Sequence, residues 1–375
     1  MASSTFLAHA GVCPLPRCVT AAMFDYLERC HHGDQETAFP EGLLTRTRQL
    51  TAELLACRRE EIAMVAPTSL GLSIVANGLD WQSGDNVIFY PEDFPSNVVV
   101  WRALEARGVE LREIQTPNLG AITQREILPL MDKRTRLVAL TSAHYISGQR
   151  IDLHPIGKAI HERGALLCVD GIQTLGAFHT SIEHADFLAT DAHKWLLGPC
   201  AAGILFIRRE VQERLRPTIL GWNNVHSPHY IGPKTLQFPS HAGRYEAGTH
   251  NLVGIAGLHA ALELLQKVGA QPIEEILIEH ARFLRQELHQ RNFQVAGLSD
   301  CMLSGITSFT DPKRDMPTLH QKLTEAKIIT SLRQTRNGTP WIRISPHFYN
   351  NRGDLVRLLE VMDATLVNKH SVTQK

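Results

Sequence analysis

Between residues 60 and 210, short apolar runs rich in β-branched residues alternate with stretches of helical periodicity. The runs are Ala63 to Pro67, Asn86 to Tyr90, Leu137 to Thr141, Ala165 to Asp170, Phe187 to Thr190 and Gly203 to Arg208. Unbroken apolarity is the pattern of strands covered on both faces, so this alternation predicts crossover units around a mainly parallel sheet. From Gly221 to Gly248 the chain becomes polar, with scattered aromatics and glycines, and reads as a long irregular loop of the kind that often carries function. Two helices are predicted next, Leu252 to Val268 and Ile273 to Gln290. In the second, Ile273, Ile276, Leu277, Ala281, Leu284 and Leu288 share one face. Both lead into a smaller α+β unit completed by the first fifteen residues, which gives expected domains of 16–252 and of 1–15 with 253–375.

Composition narrows the function without naming it. The 375 residues are 43% hydrophobic and 20% charged, with 38 basic and 38 acidic side chains, an ordinary globular composition with room for about two domains. A formal net charge of zero argues against a nucleic-acid or membrane-surface binder, which needs a clustered basic face. Seven cysteines without a C-x-x-C pair read as free thiols. With no basic leader and no apolar run of membrane-spanning length, the expected location is the cytoplasm. No G-x-G-x-x-G, phosphate loop, H-E-x-x-H or G-x-S-x-G is present. The 19 histidines are scattered, so no metal site is expected, and His31-His32 is assigned to a solvated face.

Two segments stand out because they sit where strands of the expected sheet end. Asp170 closes the apolar run Leu166-Leu167-Cys168-Val169, at the carboxyl edge where open parallel sheets bind ligands; there it either caps the following turn or meets a cationic partner. Lys194 follows the run Phe187 to Thr190, between His193 and Trp195 and ahead of Gly198-Pro199. A lysine desolvated in such a place has a lowered pKa and can form a Schiff base.

Asp170-Gly171-Ile172-Gln173, followed about twenty residues later by Asp191-Ala192-His193-Lys194, resembles the class V aminotransferase family of fold-type I pyridoxal 5′-phosphate (PLP) enzymes. Cysteine desulfurases, selenocysteine lyases, kynureninases and isopenicillin N epimerase-like proteins belong to that group. The resemblance implies an α/β fold with a large domain around a mostly parallel sheet and a small α+β terminal domain. It implies that Lys194 carries PLP and acts as general base, that Asp170 keeps the ring nitrogen protonated, and that Gln173 donates to the phenolic oxygen. Thr68 and Ser69, at a strand-to-helix junction, and His193 are implied phosphate or cofactor contacts. Phe94, in Phe94-Pro95-Ser96-Asn97, is implied to stack on the ring, and His144 and Tyr145 to face the substrate.

Further along, Gly248-Thr249-His250-Asn251 is similar to the motif whose threonine reaches the phosphate of a neighbouring subunit, which implies a homodimer with a shared site. Arg343, in Trp341-Ile342-Arg343-Ile344-Ser345-Pro346, matches the arginine that grips the substrate α-carboxylate, a task suited to a bidentate guanidinium. Trp222, Asn223 and Asn224 are expected near the substrate side chain. The sequence departs from the desulfurase pattern: it has Phe94, as kynureninase-like relatives do, where the desulfurases place histidine, and Ser331 to Pro340 is short and contains no cysteine, although Arg333 and Arg336 there suit an acidic substrate group. The resulting expectation is an enzyme that acts on an α-amino acid through an external aldimine and an α-carbanion. Its expected reaction is β-elimination from a cysteine-like substrate without persulfide transfer. Transamination and epimerisation share that carbanion and stand as alternatives; a non-catalytic partner protein is the remote one.

Overall fold

The computed structural model describes residues 4–297 and 302–370. After a short N-terminal strand β1 (Thr5–Phe6), seven strands build the large sheet: β2 (Ile62–Val65), β3 (Asn86–Phe89), β4 (Glu110–Glu113), β5 (Thr135–Thr141), β6 (Leu166–Asp170), β7 (Phe187–Thr190) and β8 (Gly203–Ile207). Their order is β2-β8-β7-β6-β5-β3-β4. All neighbours from β4 to β7 are parallel, whereas β8 runs antiparallel to both β7 and β2. The sheet is therefore mixed and mostly parallel. The direction reverses at β8 because the segment joining it to β7 contains no crossover helix, and a parallel return requires one.

Alternate residues of the central strands feed two apolar layers, one on each face of the sheet. Val138 and Leu140 of β5 and Leu167 and Val169 of β6 join one cluster; Leu137, Ala139, Leu166 and Cys168 join the other. Each fully buried Leu or Val contributes about 1.5–3 kcal/mol relative to an exposed one, which fixes the register and hence the positions of the strand ends. Strand β4, ELRE, has no counterpart among the predicted runs. It is the sheet's edge, carries charge and has no fully buried residue, so it lacks the apolar run by which the inner strands announce themselves.

The helix Leu252–Val268 has the expected bounds, and its successor, Ala270–Gln290, begins three residues earlier than expected. The two meet at an 81° bend. Leu258, Leu262 and Leu265 of the first pack in the same cluster as the large sheet, and this helix lies against Arg17–His32 and Leu43–Leu55. The second helix places Ile273 and Leu277 in that cluster but Phe283, Leu284 and Leu288 in the cluster of the small lobe. By packing, the helix that follows the expected boundary at residue 252 goes with the large sheet.

The small lobe holds β9 (Gln294–Val295), β10 (Thr307–Thr310), β11 (Ile328–Ile329), β12 (Ser331–Gln334) and β13 (Pro340–Ile344). Four of them form an antiparallel sheet in the order β12-β13-β10-β9, while β11 pairs in parallel with β1. Past β1 the chain bridges Ala8 to Ser345 and then reaches the large lobe, where the Cys13 amide donates to the His193 carbonyl at 2.8 Å. The N-terminal segment thus ties both lobes together beside the carboxyl ends of β6 and β7.

Candidate active site

At those strand ends lies a cavity of about 270 Å³ whose walls include Asp170, Gln173, His193, Lys194, Arg333 and Arg343. Pro67, Thr68, Ser69 and Phe94 close another side, and Ala10, Gly11 and Val12 bring the N-terminal segment over it. Asp170 is the last residue of β6, and its Oδ1 accepts the Ile172 amide at 3.0 Å. Burial pushes its carboxyl up to about 6, opposed by that hydrogen bond and by Lys194. Lys194 is only 7% exposed. Its Nζ lies 5.3 Å from the centre of the Phe94 ring. Burial, reinforced by Arg343, lowers the amine to about 8, which makes it a usable base near neutrality.

The loop that carries Lys194 is anchored by Asp191. Its Oδ1 accepts the amides of Ala192 and Ala202 at 2.7 and 3.1 Å, and its Oδ2 accepts the Ala201 amide at 3.1 Å. The same Oδ2 lies 2.8 Å from Nδ1 of His193. Behind Lys194, Nε1 of Trp195 donates to Oε1 of Gln173 at 2.9 Å, and Nε2 of Gln173 donates to the Ala10 carbonyl at 3.2 Å. The amide nitrogen expected to serve a phenolic oxygen is thus hydrogen-bonded to the N-terminal segment, although Gln173 still lines the cavity.

Two side chains in the cavity walls carry buried polar atoms that have no protein partner among the described residues. Oγ1 of Thr68 is buried and unpaired at the start of the helix Thr68–Gly78, where free amides and the helix dipole favour an anion. Arg343 is 1% exposed; its Nη1 donates to the Tyr145 carbonyl at 2.7 Å, while Nε and Nη2 are unpaired. Such groups are costly to bury unmet. A phosphate beside Thr68 and a carboxylate on the free edge of Arg343 would satisfy both.

Residues 5–358 match the family described as aminotransferase class-V. The chain belongs to that family. Among its relatives, a probable cysteine desulfurase of Methanothermobacter thermautotrophicus is 29% identical, over 96% of this chain and 94% of the relative. A solved structure of a C-DES mutant with glycine covalently linked to the PLP cofactor has a TM-score of 0.88 and 25% identity, covering 96% of this chain and 97% of that one. An apo cysteine desulfurase of Thermococcus onnurineus has a TM-score of 0.89 over 97% of this chain and 95% of that one, at 23% identity, and shares the fold.

The class V chain is thus a PLP-dependent enzyme, and its cavity fits the cofactor: an anion cradle at Thr68, a buried carboxyl at Asp170, a desolvated amine at Lys194 and a ring at Phe94. Of the other expected site residues, Tyr145 packs edge-on against Phe94 with ring centres 5.5 Å apart. His144 does not line the cavity. It is fully buried, its Nε2 lies 3.0 Å from the Glu92 carbonyl, its Nδ1 contacts Ser147, and burial lowers the ring to about 4.

Trp222 also lies elsewhere, half exposed and packed on Tyr230, and Asn224 is consumed by the Ile219 and Arg244 carbonyls. Asn223 donates to the Glu246 carbonyl. Thr249 borders a separate cavity with Ala66, Glu246 and His250, and Arg336 turns outward to Glu92 at 3.5 Å. Sequence reasoning misses Asp93. This buried carboxyl accepts the Phe94 amide at 2.7 Å and Nδ2 of Asn97 at 2.9 Å, and so positions the Phe94 ring. Burial, then the nearby Asp170, push it up to about 7. It misses Gly11 too: a side chain there would stand 3.6 Å from Nη2 of Arg343 and 3.8 Å from Nη2 of Arg333. Neither residue has a spacing signal; only the fold brings them to the cavity.

Proposed function

We propose that the enzyme is a carbon–sulfur lyase that removes sulfur from cysteine or a cysteine-like amino acid by β-elimination. The observation that carries an amino-acid substrate is the free edge of the buried Arg343 guanidinium, in the same cavity as the Lys194 amine. The sulfur chemistry is supported by the relatives' names, among them a probable cysteine desulfurase and a cystine C-S lyase, C-DES, solved with its product cysteine persulfide.

When bound, PLP supplies an aldehyde that joins an amine and a ring that draws electrons from the α-carbon. Thr68, Ser69 and the first amides of the helix Thr68–Gly78 would hold its phosphate, Phe94 would cover its face, and Asp170 would hold the proton on its ring nitrogen. Arg343 takes the substrate carboxylate in a bidentate grip, which fixes the α-carbon relative to Lys194. Lys194 takes the α-proton and can hand one to the departing sulfur. Electrons from the broken C–H bond form the new C=C bond as the C–S bond breaks. Water then completes the products, so that cysteine and water give pyruvate, ammonia and sulfide. Thr249, outside its own subunit's cavity, is assigned to the phosphate of a second copy in a homodimer.

A second reading is desulfuration with persulfide transfer, favoured by the desulfurase names of the relatives. The lyase reading rests against it on the absence of cysteine between Ser331 and Arg343, which leaves no thiolate on that loop to take sulfur. Incubating holoenzyme with cysteine and no keto-acid acceptor separates the outcomes. Continued formation of equal pyruvate, ammonia and sulfide supports the lyase; alanine with protein-bound sulfur overturns it. A single turnover per chain points to an aminotransferase, and α-proton exchange without net products to an epimerase.

A further inference from the structure

Away from the cofactor cavity, the loop before β7 lies on the helix Leu153–His161 with three histidines at the contact. His154 and His161 stand near the two ends of the helix, and Gly157 stands between them. A Cβ on Gly157 would be 2.5 Å from the Cβ of His184. Only glycine there lets the loop come close enough to seat His184 between the other two rings. The His184 ring centre is 5.0 Å from that of His154 and 5.7 Å from that of His161.

The neighbouring Glu183 turns its carboxylate into the same place. Oε2 is 3.0 Å from Nδ1 of His154 and Oε1 is 3.8 Å from Nε2 of His184. Ligand atoms of His154, Glu183 and His184 all fall within 4.8 Å of one another. The loop is held in place independently of these side chains, since Arg208 donates to the Ala185 and Glu183 carbonyls, each at 2.9 Å. His161 is occupied with the buried Asp186 at 2.9 Å, so the available set is two imidazoles and one carboxylate.

We propose that His154, Glu183 and His184 form a binding site for a divalent first-row metal ion of the zinc type. Two nitrogens and one carboxylate oxygen suit zinc, cobalt or nickel better than the hard, oxygen-seeking calcium or magnesium. Three protein ligands leave a further position for water. No local motif announces the site, because His154 and Glu183 lie far apart in the chain and meet only after folding, where the loop packs on the helix at Gly157. Bound metal ties the loop to the helix and so stabilises the folded chain by mass action.

The test is titration of the PLP-loaded enzyme with cobalt(II), read by its d–d absorption, and with zinc, read by the shift in melting temperature. Wild type should bind one cobalt per chain with a nitrogen–oxygen spectrum lacking a thiolate charge-transfer band, and zinc should raise its melting temperature. His154→Ala and His184→Ala should each lose that equivalent and the zinc shift. Glu183→Gln, a nearly isosteric change, should weaken both, and His31→Ala should change neither. The proposal is overturned if wild type takes up no cobalt at several-fold excess, if its cobalt spectrum shows thiolate ligation, or if the His154→Ala/His184→Ala double variant binds as wild type does.

Discussion

Arg343 has a chemistry that lysine does not replace. A guanidinium with Nε and Nη2 free side by side matches both oxygens of one carboxylate, whereas a lysine at the same Cα offers a single point of charge. Arg343→Lys should therefore act mainly on substrate binding. Losing a charged hydrogen bond of about 1.5–3 kcal/mol lowers kcat/KM by roughly 10- to 100-fold, and steady-state kinetics with cysteine will show it, with KM moving more than kcat. His347 offers a different test. Its Nε2 lies 3.1 Å from the Trp195 carbonyl, its Nδ1 accepts the Phe348 amide at 2.8 Å, and burial lowers the ring to about 3. The unfolded chain binds a proton at this histidine near pH 6.5 and the folded chain does not, so this residue's contribution falls as pH drops from 6.5 toward 3. The gap in melting temperature between wild type and His347→Asn should narrow between about pH 7 and about pH 4; a gap independent of pH contradicts the assignment. Asp170, Lys194, Phe94 and Arg343 are legible because their residue types sit in distinctive local contexts. Asp93 is not, since its role comes from burial beside Asp170 and nothing in its neighbours signals that.

Among the elements, the inner strands are readable and the edge is not. Runs such as Leu166–Asp170 are apolar because both faces of the strand are covered, and that leaves a mark in composition; Glu110–Glu113, with solvent on one side, leaves none. The loop Gly221–Gly248 is irregular as its composition suggests, having only short 3₁₀ turns, but irregularity says nothing about which of its side chains face the substrate. Trp222 and Asn224 are expected there by position alone, and the carbonyls of Ile219 and Arg244 claim Asn224 instead. Besides the Gln173–Trp195 hydrogen bond, the turn after β6 supports the lysine loop through a close backbone approach. Gly176, at φ +92°, faces the Trp195 carbonyl oxygen, which a Cβ would meet at 2.6 Å. Gly176→Ala adds left-handed strain to that collision, at a cost of about 1–3 kcal/mol for the backbone strain alone. Denaturant titration should show the loss of stability, and the variant should release PLP faster on dialysis because the backbone next to Lys194 must shift.

For the molecule as a whole, the cavity depends on three separate parts of the chain: strand ends of the large sheet, Arg333 and Arg343 from the small sheet, and the crossing segment Ala10 to Val12. Motifs in the sequence reveal the first two and leave the third as a completion of the small domain, because the contacts of Ala10 with Gln173 and of the adjoining Cys13 with His193 exist only after folding. The proposed homodimer adds a fourth part, Thr249 of the second copy. Dilution should then release PLP in step with dissociation of the subunits, as followed by sedimentation and cofactor fluorescence; a fully active monomer that retains PLP contradicts it. Beneath all of these stands the claim that Lys194, desolvated beside Asp170, is where the cofactor is held. Reducing the PLP-loaded enzyme with borohydride, digesting it and mapping the peptides by mass tests this directly: the pyridoxyl group should be found on Lys194, and its recovery on any other lysine would contradict the account.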